Sequence, residues 1–561
     1  MSAITMKTAT SMSGLLPRLF TLAMMTTAAL LLAAAAHAAA PGMKGTSFTL
    51  IATPDYISQP DGQSVYSWGY ACSFSPGNNG VPAPSSIAAP GACSGLMQIP
   101  GPTLIVTENT TFTVTLKNGL PTAAGNTSIL FPGLTVVQAV GGVRGLLAQE
   151  ATPAGQVTYT LRAASPGTRA YYSGTQGDLQ VEMGLFGAII VLPAATNVPA
   201  VCGTLTSGGL PANAAGTGTG YNRAARAHWG ENDFRLAAAA YNQPGACYDR
   251  EYLFQFSEMD PNIHETALAQ VTRLGSCVAG SMGCQLQVPT EPYHPAYFMI
   301  NGRSMPDDMD PNYATQYPHQ PYNGNPHMHP GEAVLLRIIG QGRWQHPFHE
   351  HGNHVRILAR DGNLILASTA ATETNLAGPL QFTTTTTPGL AMDGIFQWTG
   401  KGLNWDAFGH NPASGDTLAT LPCTPDANGY NTVGTSAGQA PTAVNYYEWC
   451  QDHNKPMQAL PFGDVASGGP VTLPDPNIFT NGAWYGGSPY LGPNATVRAT
   501  GPTGTTPPSG TIANSPTGEA GFAFMWHSHN EREITTNNIF PGGMLMMMLV
   551  DSREFQIDES N

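Results

Sequence analysis

The stretch PTLIVTENTTFTVTLKN, residues 102–118, alternates apolar and polar side chains. Alternation of this kind puts one face of an extended chain into a core and the other towards water, which is the signature of a strand in a layered sheet. It recurs in GQVTYTLRA (155–163). GLFGAIIVLP (184–193) is a short apolar run of the sort that lies inside a β-sandwich. No sustained helical period interrupts this first module, which spans about 45–200. Residues 201–245 are rich in Gly, Ala and Thr and read as a linker. Strand patterns return in REYLFQFSEMD, AYFMINGRSMPDD, GEAVLLRIIG, NHVRILARDGNLI and MDGIFQWTG, and the chain closes with AGFAFMWHSH and GGMLMMMLVD. A second module, 246–555, is therefore expected, broken at about 406–515 by an insertion dense in Gly, Pro, Asn and Thr. A loop of that length is usually functional or mobile.

The N-terminus predicts export. Lys7 and Arg18 precede the apolar run LFTLAMMTTAALLLAAAA, which ends in Ala36-His37-Ala38. Small residues at that spacing form a signal-peptidase site, so residues 1–38 are expected to be a signal peptide and the mature protein periplasmic or secreted. No Arg-Arg pair precedes the run, which favours the general secretory route. No later stretch has the length and apolarity of a membrane span. Only 10% of the residues are charged and the formal net charge is −14, a balance that argues against a nucleic-acid partner. The eight cysteines are even in number, and an oxidising compartment makes four disulfides the natural reading. The simplest connectivity joins each cysteine to its neighbour in sequence. None lies inside a histidine cluster, so none is assigned to metal.

Two histidine clusters carry the chemistry. HPFHEHGNH holds His346, His349, His351 and His354, and WHSH holds His527 and His529. On extended chain His349 and His351 share a face, as do His527 and His529. Two such strands side by side place four imidazoles on one surface, a donor set suited to copper, zinc, iron or nickel. Ser528 must then face the other way. NPHMHPGE, with His327, Met328 and His329, is a weaker metal candidate. The methionines of GGMLMMMLV are expected to pack a core, which methionine does well.

With these motifs the chain resembles the multicopper oxidases, a family built from plastocyanin-like (cupredoxin) β-sandwich domains. HPFHEHG matches the family's H-P-x-H-x-H-G motif in full. QIPGPTLIVTENTTFTVTLKN resembles its opening strands, and WHSHNERE with GGMLMMM its closing H-C-H segment. The resemblance implies an all-β fold of two cupredoxin-like Greek-key sandwiches, copper as cofactor, and a homotrimer of the kind two-domain members form. It also exposes losses. TSILFPG (127–133) has Leu130 and Pro132 where the family has histidines, and GTRAYYSG (167–174) has Tyr172 and Gly174. Of the family's eight trinuclear-centre histidines, His349, His351, His527 and His529 correspond to survivors, one type 2 ligand and three type 3 ligands.

The type 1 site is broken as well. His346 matches its first histidine, but Ser528 replaces the cysteine, Glu533 stands at the second histidine and Asn538 near the axial position. A hydroxyl cannot replace a soft thiolate. His346, Ser528 and Glu533 could add to a metal site or orient its ligands, but a buried hydrogen-bonded network is the expected fate of that pocket. Glu350, Glu531 and Glu533 could attract a cationic substrate or orient imidazoles. The expected function is a copper-dependent oxidoreductase with a reduced, mononuclear copper site on the second domain, acting on a small-molecule or metal-ion substrate. Two alternatives stand beside it: a copper-handling protein without turnover, and a metal-free pseudo-oxidase used as an interaction scaffold.

Overall fold

The computed structural model describes residues 40–72, 80–83, 93–202, 235–370, 373–403, 422–431, 447–453, 487–491, 520–551 and 557. The expected signal peptide, most of the linker and most of the insertion lie outside the described residues.

The chain is all-β in plan, with two sandwiches. In the first, a six-stranded sheet runs in the order Met97–Gln98, Ser64–Cys72, Ser47–Ser58, Thr111–Asn118, Gln156–Arg162, Thr135–Gly141. It faces a five-stranded sheet in which Leu104–Thr107 lies parallel to Phe186–Leu192. The alternation in Thr111–Asn118 works as expected: Phe112, Val114 and Leu116 are buried while the threonines between them are not.

The second sandwich pairs two further sheets. One is built on Arg250–Met259, Ala333–Gly340, Ala391–Gln397 and Val355–Arg360. The other runs in the order His327–Met328, Leu545–Asp551, Ala520–Ser528, His346–Glu350, Thr383–Thr386. Gly487–Leu491, from within the insertion, pairs with Ala520–Ser528 on that sheet. Met544, Met546 and Met548 are fully buried among Phe348, Phe522, Phe524 and Trp526, so the methionine tract is core.

The described residues hold two α-helices that the strand patterns do not suggest, a single turn at Gly177–Gln180 and a longer one. Pro261–Leu274 begins at Asp260, whose carboxylate accepts the Asn262 N–H, and stops at Gly275. These are ordinary start and stop signals. Although it follows the first strand of the second module, it packs on the first sandwich: Ile263 and Ala267 join that core, and His264 is buried with its ring bonded to the Tyr66 and Glu182 carbonyls. The sandwiches are also joined by a buried polar cluster. Arg337 pairs with Glu251 at 2.8 Å and lies 3.7 Å from Asp393, which accepts hydrogen bonds from Thr168 of the first sandwich and from Tyr241.

All eight cysteines are paired, each with its neighbour in sequence: Cys72–Cys93, Cys202–Cys247, Cys277–Cys284 and Cys423–Cys450.

Candidate metal centre

Strands His346–Glu350 and Ala520–Ser528 are antiparallel neighbours, with His349 directly opposite His527 and Phe348 opposite Ser528. Residues directly opposite share a face. Phe348 and Trp526 face the core, ring to ring at 6.1 Å. His349 and His527 therefore share the outer face of the sheet. His351 follows at the end of its strand. Its carbonyl accepts the Trp526 indole N–H at 2.9 Å, and the chain then turns through Gly352 at φ +96°, where a Cβ would strike the Phe524 ring. The glycine of the HPFHEHG motif is thus a steric requirement.

His349, His351 and His527 each offer a ring nitrogen within 4.8 Å of the others, and all three are buried. The Nε2 atoms of His351 and His527 are 3.2 Å apart. Metal–imidazole bonds of roughly 2 Å put neighbouring ligand nitrogens roughly 3–4 Å apart; the His351–His527 pair has that spacing, and the trio as a whole lies within 4.8 Å, a group that could hold an ion. The opposite ring edges are anchored. His527 Nδ1 donates to the Ser528 carbonyl at 2.7 Å, and His349 Nδ1 is hydrogen-bonded to the Thr383 hydroxyl, also at 2.7 Å. Such outer contacts fix ring orientation at metal sites. Burial, helped by the neighbouring imidazoles, pushes His349 down to about 3. Burial lowers His527 too. A neutral imidazole is the ligating form.

His529 stands beside this trio. Its ring centroid is 4.9 Å from His349 and 5.6 Å from His527. It is exposed at the mouth and lies outside the tight group. Phe382 packs edge-on to both His349 and His354. Thr383 and Phe382 had no sequence signal, since they sit at the start of a threonine run.

The inner face of the same strands holds a second, buried polar pocket, where the resemblance implied a type 1 site. His346 and Ser528 are fully buried there, with Glu533. Ser528 Oγ donates to Glu533, whose Oε2 is 2.9 Å from His346 Nδ1. On the other ring edge His346 Nε2 is 2.9 Å from Glu258 Oε2. The expected network is present and is larger than expected. Glu258 also accepts the backbone N–H groups of Arg343 and Trp344 and the Tyr293 hydroxyl. Tyr293 donates as well to Glu182 of the first sandwich, at 2.7 Å. The two carboxylates outweigh burial and raise His346 to about 9, while burial pushes Glu182 up to about 8. Carboxylate oxygens lie 2.9 Å from both ring nitrogens of His346, on opposite sides of the ring.

Other expectations resolve differently. Asn538 is exposed in a turn; Met544 borders the pocket instead, its backbone bonded to Ser528 and Glu533. Glu350 points into the core, bonded to Thr384 at 2.8 Å and raised to about 8 by burial. Glu533 is committed to the network, and Glu531 is an exposed loop charge. His327 and His329 fasten the C-terminal strand: His327 Nδ1 lies 2.7 Å from the Asp551 carboxylate, and His329 Nδ1 lies 2.8 Å from the Asp551 carbonyl. In the first sandwich the motif segments TSILFPG and GTRAYYSG do meet, through backbone hydrogen bonds between Leu130 and Tyr172. A Cβ on Gly174 would lie 2.7 Å from Leu130. The two segments where the resemblance implied histidines thus meet through Leu130, Tyr172 and Gly174.

Two multicopper oxidase family models match the chain, one over residues 96–196 and one over 289–393. No curated protein sequence matches it. Among solved structures the chain is similar to a blue copper oxidase from Nitrosomonas europaea, at 13% identity over 89% of this chain and 84% of that one (TM-score 0.39). It is similar also to a copper nitrite reductase from the same organism, at 16% identity over 62% and 83% (TM-score 0.35). A laccase from Botrytis aclada aligns at 16% identity over 64% and 47% (TM-score 0.32).

Proposed function

This chain belongs to the multicopper oxidase family, and we propose that it is an exported copper-dependent oxidoreductase reduced to one copper, held by His349, His351 and His527 on the outer face of the second sandwich. The observation that carries the proposal is the convergence of three buried imidazoles within 4.8 Å, two of them anchored at the far ring edge. Copper is the cofactor the family implies, and imidazole suits it. When bound it supplies one-electron exchange beside an open position.

The chain's own residues do the rest. Thr383 and the Ser528 carbonyl hold the rings in place. His349 stays neutral across the working pH range. His529 stands exposed at the mouth of the site. Phe382 shields one side of His349 from water. No thiolate joins this site to the inner pocket, so a donor must exchange electrons at the cluster itself. Export is supported by the N-terminal signal pattern and the four disulfides.

A second reading, copper handling without turnover, is favoured by the sealed inner pocket, because electrons have no built port of entry. The test is paramagnetic resonance on copper-reconstituted protein, followed by oxidation assays with organic and metal-ion donors. A single nitrogen-coordinated Cu(II) signal with no blue band, and turnover lost in His527→Ala but kept in Ser528→Ala, is the expected result. The same signal without turnover selects copper handling. No bound copper selects the metal-free scaffold.

A further inference from the structure

Strand Thr135–Gly141 ends the six-stranded sheet of the first sandwich. It is bonded to Gln156–Arg162 on one side, and among the described residues no strand pairs with its outer edge. Proteins usually blunt such an edge with charge, proline or a covering segment. Here Val136, Val137 and Val140 are 50%, 59% and 56% exposed. The adjoining hairpin, Val143–Arg144 paired with Gln149–Glu150, adds Leu146 at 94% and Leu147 at 65%. Val136 stands opposite Leu161, on the core side of the sheet, and Val140 opposite Thr158, on the solvent side. Both faces of the strand are therefore apolar. Within residues 134–148 the only charged side chain is Arg144.

We infer that this hairpin is a self-association surface, on which a second copy of the same chain docks through a two-fold contact. Charge and area select that occupant. The chain carries a net charge of −14, so two copies repel over most of their surface. Residues 134–148 carry no acid, so this is where close approach costs least. Its four valines and two leucines expose on the order of 500 Å² per copy, as large as the largest apolar patches on ordinary monomers. Two such patches bury on the order of 1,000 Å², the lower threshold for a specific interface. A two-fold contact uses the same patch twice and is closed, so assembly stops at two and differs from the trimer implied by resemblance. The surface lies on the first sandwich and does not depend on copper.

The test is light scattering on the eluting mature chain over a concentration series, with Val140→Lys/Leu146→Lys and, separately, Leu147→Glu. All three side chains are exposed, and unchanged near-ultraviolet dichroism checks the fold. Wild type should approach twice the chain mass as concentration rises, more readily with added salt, and both variants should stay at one chain mass. A wild type that remains monomeric, an assembly of three, or a dimer that survives the lysines would overturn the inference.

Discussion

Two polar sites sit back to back on the same pair of strands, and they have opposite chemistry. On the outer face, His349, His351 and His527 converge, with His349 held by the Thr383 hydroxyl and His527 by the Ser528 carbonyl. On the inner face a single imidazole, His346, is gripped on both edges by Glu258 and Glu533. His349 and His527 are driven towards neutrality and so towards ligation, whereas the inner ring is driven towards its cation and away from it. His346 is fully buried, between elements that also bring Ser528, Glu533 and Glu258 to it. These acid–base partners satisfy groups that would otherwise be costly to bury.

The largest effect that separates the two faces should come from Glu258. Truncation to Ala leaves the His346 cation short of a partner and two backbone N–H groups unsatisfied. Denaturant unfolding should show a loss of about 3–5 kcal/mol, while copper content stays unchanged. A loss under about 1 kcal/mol would mean that the triad contributes little.

Acidity should divide the faces next. His346 has its folded pKa raised, to about 9, above its ordinary value. Its contribution is therefore fully present below about pH 6.5, and it is lost as pH rises through about 9. The total is on the order of 3 kcal/mol. Glu533→Gln should flatten that decline. Stability that holds level from neutral to alkaline pH in the parent chain would show His346 to be neutral.

Smaller is the effect of Tyr293→Phe, which cuts the link between Glu258 and Glu182. About 1 kcal/mol should be lost, with the domains still joined through Arg337 and Asp393. Smallest of all is Ser528→Cys. With Glu533 in place of the second imidazole and His346 occupied on both edges, the added thiol should produce no blue absorption band on copper loading. An intense band would show the inner pocket to be open to metal after all.

The sequence already placed the two faces. Alternation along HPFHE and WHSH puts His349 and His527 on one side and Ser528 on the other, and the strand register bears this out. The strands of both sandwiches were legible for the same reason: period-two burial leaves its mark locally. The inner network was legible only in its local part. Ser528 and Glu533 are five residues apart, but Glu258 and Glu182 come from other elements, and no pattern along the chain says which distant carboxylate will meet a given imidazole. Helix Pro261–Leu274 carried its caps in plain view, yet its apolar face covers the first sandwich rather than its own, so module boundaries gave no reason to look for it. Met544 in place of Asn538 reflects a turn whose path after Glu533 depends on backbone hydrogen bonds to Ser528 and Glu533, not on spacing.

The central claim is that the outer face holds one copper and the inner face none. Elemental analysis of the reconstituted chain tests it most directly, in wild type, in His349→Ala/His527→Ala and in Ser528→Ala/Glu533→Ala. About one copper per chain is expected in the first and third and none in the second, as three imidazoles suffice for a single ion. Copper that survives removal of His349 and His527, or disappears with Ser528 and Glu533, would contradict the account.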